Sequence, residues 1–209
     1  ISQQILGEFS YKYLFEMKGA NVWNKLYRTE FVHNNELIFS EVRIGEDLFF
    51  NLKSLLFYPK ISFINDDLYY YFINAKSVTK SYAKNQSEDF AKCLEDIIEI
   101  SKKNNNLDVL SQSIPLLALR GVSTSLFNRY QYDNTFMFLF NSIKEIMDIE
   151  TYLYWLEQGK KMKSAKMVKH KANKKHTEAF FNLVYYKHYV LLSMLEWIRF
   201  RFITSKKEM

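Results

Sequence analysis

The sequence contains few of the residues that interrupt helices. Its 209 residues include only five glycines and two prolines. Because glycine and proline end helices and form most tight turns, their scarcity favours helices over a chain broken by many loops. A chain of this length buries roughly 70% of its unfolded surface, so a conventional hydrophobic core is expected.

Cysteine is also scarce, and long apolar runs are absent. Cys93 is the only cysteine, which excludes an internal disulfide. It follows Phe90 by three residues on an apolar helical face, so we interpret it as a buried, unreactive thiol. No apolar run reaches the roughly 18 residues of a membrane-spanning helix. The first residues, Ile1–Gln4, show neither a signal peptide nor an initial Met, which predicts a cytoplasmic location and a piece of a longer, or a processed, protein.

Charge is present but unevenly distributed. Residues 160–209 hold 13 Lys or Arg and 3 Asp or Glu, a balance of +10. The remaining 16 basic and 20 acidic residues leave residues 1–159 at −4. This asymmetry predicts an anionic partner for the C-terminal part.

The pattern of apolar residues divides the chain into two parts at about residue 80. Residues 1–80 indicate mixed α and β structure. The predicted elements there are helices over 3–19, 21–27 and 46–57, and two short strands over 60–64 and 68–72. Residues 81–209 indicate helices alone, so the predicted fold class is α+β, mostly α. The predicted helices of this second part are 87–103, 107–130, 141–158 and 177–203, with a basic linker over 160–175.

Four motifs follow one another between residues 22 and 80. They are the tryptophan-containing block Val22–Arg28, the pair Glu46-Asp47 at a helix start, the aromatic strand Leu68–Tyr71, and the turn Ser77–Thr79. This ordered set resembles the catalytic, acceptor-side end of family 2 glycosyltransferases with the GT-A fold. The resemblance implies that residues 1–80 are a partial GT-A segment.

The acidic pair has two interpretations. Acidic residues in the first turn of a helix offset the positive end of its macrodipole, which is an ordinary structural role. The resemblance implies that Asp47 is instead a general base in an inverting sugar transfer. Its carboxylate would accept the proton of an acceptor hydroxyl as that oxygen attacks the anomeric carbon. Glu46 would then bind the acceptor or position Asp47.

Trp23 and Lys25 also have two interpretations. In the structural one, Trp23 and Leu26 point inward and Lys25 and Arg28 point into solvent. In the functional one, Trp23 or Tyr27 stacks on a sugar face and Lys25 lies near a phosphate. Aromatic rings suit carbohydrate because one side of a hexose ring is largely C–H.

The chain departs from the family in the half that binds the sugar nucleotide. The family's N-terminal βαβ half and its Asp-x-Asp pattern are both missing. Asp66 and Asp67 are adjacent and follow the Glu-Asp pair, so we interpret them as a turn and not as a metal site. No cofactor or metal is therefore expected within this chain. The parent protein would use a nucleotide sugar with Mg²⁺ or Mn²⁺, and the chain alone is predicted to be inactive.

The basic segment carries a second signal. It contains eight lysines with no acidic residue between them, at positions 160, 161, 163, 166, 169, 171, 174 and 175. A solvated linker and adsorption to an anionic membrane through residues 160–203 are both open interpretations. Nucleic acid is less favoured because no recognition motif accompanies the charge.

Three functional hypotheses result. The first is a glycosyltransferase fragment that transfers a hexose to a surface-glycan or lipid-linked acceptor, peripheral at the inner face of the membrane. The second is a non-catalytic helical module that binds a membrane or a partner through its basic end. The third, an RNA-associated protein, has the least support.

Overall fold

The computed structural model describes residues 12, 19–42, 45–66, 68–70, 72 and 85–208. Nine α-helices and one short 3₁₀ helix (Ser164–Met167) are assigned within these ranges. The α-helices are α1 (Thr29–Asn34), α2 (Glu46–Leu55), α3 (Gln86–Lys103), α4 (Leu107–Leu110), α5 (Ile114–Tyr132), α6 (Phe136–Met147), α7 (Glu150–Lys161), α8 (Lys171–Tyr185) and α9 (Tyr189–Glu208).

The prediction of an α+β fold is wrong. The described part of the chain contains no β-strand, so the observed class is all-α. Residues 60–64 and the described residues of 68–72 have no regular secondary structure. Phe63 and Tyr70 lie there with 60% and 87% of their surfaces exposed. Aromatic and β-branched residues favour a strand only where a neighbouring strand and a packed face stabilise it, and local sequence does not show whether these exist.

Of the two helices predicted before residue 28, one lies almost entirely outside the described residues and the other is not observed. The predicted helix 3–19 lies outside the described residues except for Lys12 and Gly19. Residues 21–27 are not the predicted short helix. They contain a turn in which the amide of Lys25 donates to the carbonyl oxygen of Val22 at 3.1 Å.

Helix α2 confirms the helix predicted to start at Glu46. Its apolar residues recur at helical spacing, and Leu48, Leu52 and Leu55 are each at least 95% buried. Phe49, on the same helix, is fully buried and meets the Phe90 ring of α3 edge to face, with the ring centroids 4.7 Å apart. These contacts attach α2 to the helical part of the molecule.

Helix α3 confirms the apolar face predicted for residues 87–103. Leu94 and Ile97 are fully buried, and the helix ends at Lys103. Cys93 is buried as expected, and burial raises the pKa of its thiol. Ser87 is not the N-cap, because the helix begins one residue earlier and Asn85 occupies that position.

Three of the four helices predicted for the second half have wrong boundaries. The helix expected over 107–130 is two helices, α4 and α5. The helix expected over 141–158 is two helices, α6 and α7, and the helix expected over 177–203 is two helices, α8 and α9. Residues 160–175 form the end of α7, the 3₁₀ helix and the start of α8.

The hydrophobic core is one cluster that extends from α2 to α9, whereas α1 contributes no buried residue. Helix α5 packs against α3, α6 and α7, and α9 packs against α6 and α8. The buried cluster runs from Leu48 in α2 to Phe200 in α9, so it includes residues on both sides of position 80. The division into two domains stays a prediction. No helix of the described residues has the length and apolar content needed to cross a lipid bilayer.

Candidate functional site

The first turn of α2 lies at the centre of the candidate site. Gly45 precedes the helix with φ of +101°, a backbone conformation that side chains disfavour. Its carbonyl oxygen accepts the amide hydrogen of Phe49 at 3.1 Å, which starts the helix. A Cβ at this position would lie 3.3 Å from the Phe90 ring. Gly45 therefore lets the chain turn tightly against α3 and places Glu46 and Asp47 in the first turn.

Asp47 connects α2 to the turn at Val22, which precedes it by 25 residues. Its Oδ2 accepts a hydrogen bond from the backbone amide of Val22 at 3.1 Å. The side chain is partly buried. One hydrogen bond does not exhaust the acceptor sites of a carboxylate, which has about four. The arrangement therefore gives Asp47 a structural role and also fits the acceptor role that a general base requires.

Asn51 completes this connection one turn further along α2. Its side-chain amide donates to the carbonyl oxygens of Asp47 at 2.8 Å and Ala20 at 2.9 Å. Its Oδ1 accepts the hydroxyl hydrogen of Tyr27 at 2.7 Å. Asn51 is 1% exposed. Sequence reasoning missed this residue, although its position four residues after Asp47 places both on one face of the helix.

Lys25 lies beside Asp47 with its ammonium group held by the turn. Its Nζ donates to the carbonyl oxygen of Asn21 and to Oδ1 of Asn24, the latter at 2.7 Å. Burial lowers the pKa of Lys25 to about 8, and the nearby charge of Asp47 acts in the opposite direction. A group with this pKa is mostly protonated at pH 7. The structure therefore brings a cation and an anion together at the site.

Trp23 lies at the open side of the same turn. Its ring stacks on Tyr69 with centroids 4.5 Å apart and 29° between the planes, and 38% of its surface stays exposed. Leu26 is 98% exposed, so the interpretation with Trp23 and Leu26 both inward is wrong. The exposed pair Trp23 and Tyr69 presents an aromatic surface within the turn region that also holds Lys25.

The other predicted site residues lie further out or outside the described residues. Glu46 is partly buried next to Asp47. Ser77–Thr79, Tyr71 and Asp67 lie outside the described residues. Asp66 is an exposed residue in a bend, and the described part of the chain contains no cluster of three His, Cys, Asp or Glu side chains able to hold a metal ion.

A second polar feature lies where α7, the 3₁₀ helix and α8 meet. Nζ of Lys160 lies 3.6 Å from the centroid of the Tyr186 ring and 4.4 Å from that of Tyr185. A cavity of about 270 Å³ opens beside it. Its lining includes Lys163, Lys166 and the ring of Phe181. Part of the basic segment is thus packed on aromatic rings and is not a chain of free lysines.

Comparison with known proteins relates the chain to one class of enzyme over part of its length. It is 27% identical over 124 residues to the protein named "Putative glycosyltransferase EpsH" of Bacillus subtilis (strain 168). The match covers 57% of this chain and 36% of that protein, so the chain spans well under half of this relative. No protein-family model matches the sequence. No solved structure matches it either. The chain therefore has a distant, partial relationship to a protein named as a glycosyltransferase.

Proposed function

We propose that this chain is the acceptor-side part of a family 2, GT-A glycosyltransferase. The reaction would transfer a hexose from a nucleotide sugar to a surface-glycan or lipid-linked acceptor with inversion, as in polysaccharide biosynthesis. The observation that carries the proposal is the position of Asp47, a carboxylate in the first turn of α2 beside Lys25 and near the exposed ring of Trp23. The partial similarity to the Bacillus relative supports the same class of enzyme.

In this proposal Asp47 accepts the proton from the acceptor hydroxyl. The acceptor oxygen forms its bond to the anomeric carbon while the bond to the nucleoside diphosphate breaks, and the diphosphate leaves with the bonding electron pair. The amide of Val22 orients the carboxylate, and the ammonium group of Lys25 lies beside it. Trp23 offers a ring face for the sugar of the acceptor, and Glu46 contacts the acceptor or positions Asp47.

The donor side of the reaction is assigned to residues outside this chain. A nucleotide sugar and a divalent cation, Mg²⁺ or Mn²⁺, belong to the N-terminal half of the family fold. The described residues do not fit such an ion, because they contain no carboxylate and histidine cluster with ligand geometry. No step of the proposal uses a metal. The 209-residue chain alone is expected to be inactive, and a cytoplasmic position at the inner face of the membrane would suit a lipid-linked acceptor.

The substitution Asp47→Asn tests the proposal. It would be introduced into the protein with its upstream coding region restored, and release of nucleoside diphosphate would be measured with and without acceptor. A general base contributes roughly 10² to 10⁴ in rate, so we expect a loss of at least about 100-fold in turnover. Asparagine keeps an oxygen that accepts from Val22, so circular dichroism and the unfolding midpoint should change little.

Asp66→Asn provides the matched control, because Asp66 is an exposed carboxylate outside α2. This variant should retain full turnover. Normal turnover by Asp47→Asn would remove Asp47 from the role of base. An upstream region that encodes no strand-rich half with an Asp-x-Asp would count against the parent activity itself.

A second candidate function rests on the basic segment. The aromatic contacts of Lys160 and the cavity beside Lys163 and Lys166 suit a non-catalytic helical module that binds an anionic partner. Activity of the complete protein that depends on Asp47 would favour the glycosyltransferase. Binding with no sugar transfer by the complete protein would favour the module.

A further inference from the structure

The solvent-facing side of α9 is unusually apolar. We define the α9 stripe as the exposed apolar residues of this helix, Val190, Leu191, Met194, Ile198 and Phe202. Each is between 49% and 66% exposed. Their spacing places them along one helical face about 18 Å long, at 1.5 Å per residue. Contiguous exposed apolar surface of this kind marks an interaction site more often than scattered single residues do.

The stripe is not the face that packs α9 onto the protein. The opposite side of the helix carries Leu192 and Phe200, which are at least 99% buried. Phe200 meets the rings of Phe127 and Tyr130 in α5, with centroids 5.2 and 5.4 Å apart. The core contacts of α9 are therefore made by other residues, and the five apolar side chains of the stripe take no part in them.

Along the axis of α9, the basic residues at the start of α8 lie level with one end of the stripe. Helices α8 and α9 are joined by only three residues, so they run antiparallel, and the contact between His176 and the buried carboxylate of Glu196 sets their register. His176 of α8 is level with Glu196 of α9. Moving one helical turn along both helices, away from the residues that join them, brings Ala172 level with Phe200. This places the exposed residues Lys171 and Lys175 level with the end of the stripe at Ile198 and Phe202.

The same end of α9 adds its own cations. The guanidinium of Arg201 lies 4.3 Å from the ring centroid of Trp197, and that of Arg199 donates to Glu196 at 2.7 Å. Arg201 is exposed next to Phe202. An apolar strip bordered by cations is the chemistry that suits the boundary between acyl chains and anionic head groups.

We infer that the α9 stripe docks on the surface of an anionic lipid bilayer, with Lys171, Lys175 and Arg201 contacting the lipid head groups. The helix would lie in the plane of the interface with its apolar side chains among the upper acyl chains. Charge complementarity selects this occupant, because residues 160–209 carry 13 basic and 3 acidic residues. Docking of the stripe on lipid does not depend on sugar transfer.

Vesicle sedimentation of the 209-residue chain tests the inference. Vesicles of phosphatidylcholine alone would be compared with vesicles that also contain phosphatidylglycerol. We expect at least roughly tenfold tighter binding to the anionic vesicles, weakened by added salt. Equal binding to both kinds of vesicle, or binding to neither, would overturn the inference.

Two sets of substitutions separate the apolar from the charged contribution. The triple variant Met194→Gln, Ile198→Gln, Phe202→Gln should lose binding by at least roughly tenfold, because these side chains would no longer bury apolar surface. The double variant Lys171→Gln, Lys175→Gln should lose roughly tenfold on anionic vesicles only. Glutamine keeps a good helix propensity, so both variants should fold.

The matched control is the double variant Met137→Gln, Tyr154→Gln. These residues are 62% and 53% exposed on α6 and α7, outside the stripe, so binding should stay within about twofold. Equal losses in this control and the triple variant would overturn the inference. Light scattering tests the other possible occupant, a second copy of the chain. If the unsubstituted chain is a dimer that does not bind vesicles, and the triple variant is a monomer, the stripe is an interface between two copies and the inference is overturned. Sugar transfer by the complete protein is a separate measurement, so either result leaves the role of Asp47 to its own test.

Discussion

At the residue scale, Asn51 joins three parts of the candidate site through one amide group. It contacts Ala20, Tyr27 and Asp47, and the first two lie on either side of the turn that carries Trp23 and Lys25. A buried amide with all of these partners holds the turn against α2 more specifically than an apolar side chain would. The position of Lys25 relative to Asp47 therefore depends on a residue that takes no part in the proposed chemistry.

Replacing Asn51 with alanine should destabilise the protein by about 1–3 kcal/mol, because the carbonyl of Ala20 and the hydroxyl of Tyr27 would lose a buried partner. Urea unfolding followed by circular dichroism measures the change. Tyr27→Phe removes only one of the three bonds and should cost about 1 kcal/mol. An Asn51→Ala protein with an unchanged urea midpoint would show that the network does not hold the turn.

The depressed pKa of Lys25 predicts a pH dependence of stability. The folded state lowers this pKa to about 8 from an ordinary value of 10.5. Between these values the unfolded chain binds more protons than the folded one, so the contribution of Lys25 to the free energy of unfolding rises with pH from about 8 to 10.5 and is flat below pH 8. In Lys25→Met this rise should be absent. Urea midpoints of both proteins across that range test this, and parallel curves would contradict it.

At the element scale, Gly121 allows α5 to approach α3 and α7. A Cβ at this position would lie 2.5 Å from the ring of Phe90 and 2.8 Å from the hydroxyl of Tyr152. That hydroxyl donates to the carbonyl oxygen of Ser87 at 3.0 Å, and burial raises the pKa of Tyr152. The glycine thus lies where three helices meet.

Gly121→Ala tests whether close approach or helix propensity dominates at this position. In an exposed helix alanine stabilises by about 1 kcal/mol relative to glycine. Here the added methyl group must displace Phe90 or Tyr152, and overpacking of a core costs about 1–3 kcal/mol. We expect net destabilisation by about 1–2 kcal/mol in thermal or urea unfolding. An increase in stability would show that the rings move aside easily.

The elements also show which features a sequence determines locally. The sequence predicts helix α2 because its apolar residues repeat at helical spacing and Glu46-Asp47 marks its start. The division between α8 and α9 is missed because Lys187, not a glycine, adopts the left-handed conformation there. The division between α6 and α7 is missed because Asp148 and Ile149 break the helix without a glycine or a proline. A low glycine content therefore does not predict a low number of helix ends.

In the candidate site, too, some features follow from local sequence and others depend on contacts between distant residues. Asp47 and Lys25 can be singled out from the sequence because they belong to the ordered set of motifs between residues 22 and 80, and their roles stay predictions. Asn51, and the stacking of Trp23 on Tyr69, depend on contacts between residues 24 to 46 positions apart. The false strands over 60–64 and 68–72 have the same cause, since strand formation depends on a partner elsewhere in the chain.

At the scale of the whole molecule, α2 contributes to the core of the helical C-terminal part. Leu48, Phe49, Leu52, Leu55 and Leu56 are each at least 95% buried, and Phe49 packs on Phe90 of α3. Helix α2, which carries the proposed general base Asp47, thus shares one hydrophobic core with the helices that contain the lysine-rich segment. This packing bears directly on whether residues 81–209 fold as a domain of their own.

A fragment of residues 81–209 should be less stable than the full chain by at least about 3 kcal/mol, because the α3 face that contacts α2 would be exposed to water. Urea unfolding by near-ultraviolet circular dichroism would compare the two. Phe49→Ala in the full chain is the internal reference, since loss of a buried Phe costs about 3–5 kcal/mol. If the fragment unfolds at the midpoint of the full chain while Phe49→Ala destabilises the full chain, residues 81–209 are an independent domain and α2 is only attached to its surface. If the fragment is destabilised at least as much as Phe49→Ala, the proposed base and the basic end belong to one cooperative unit.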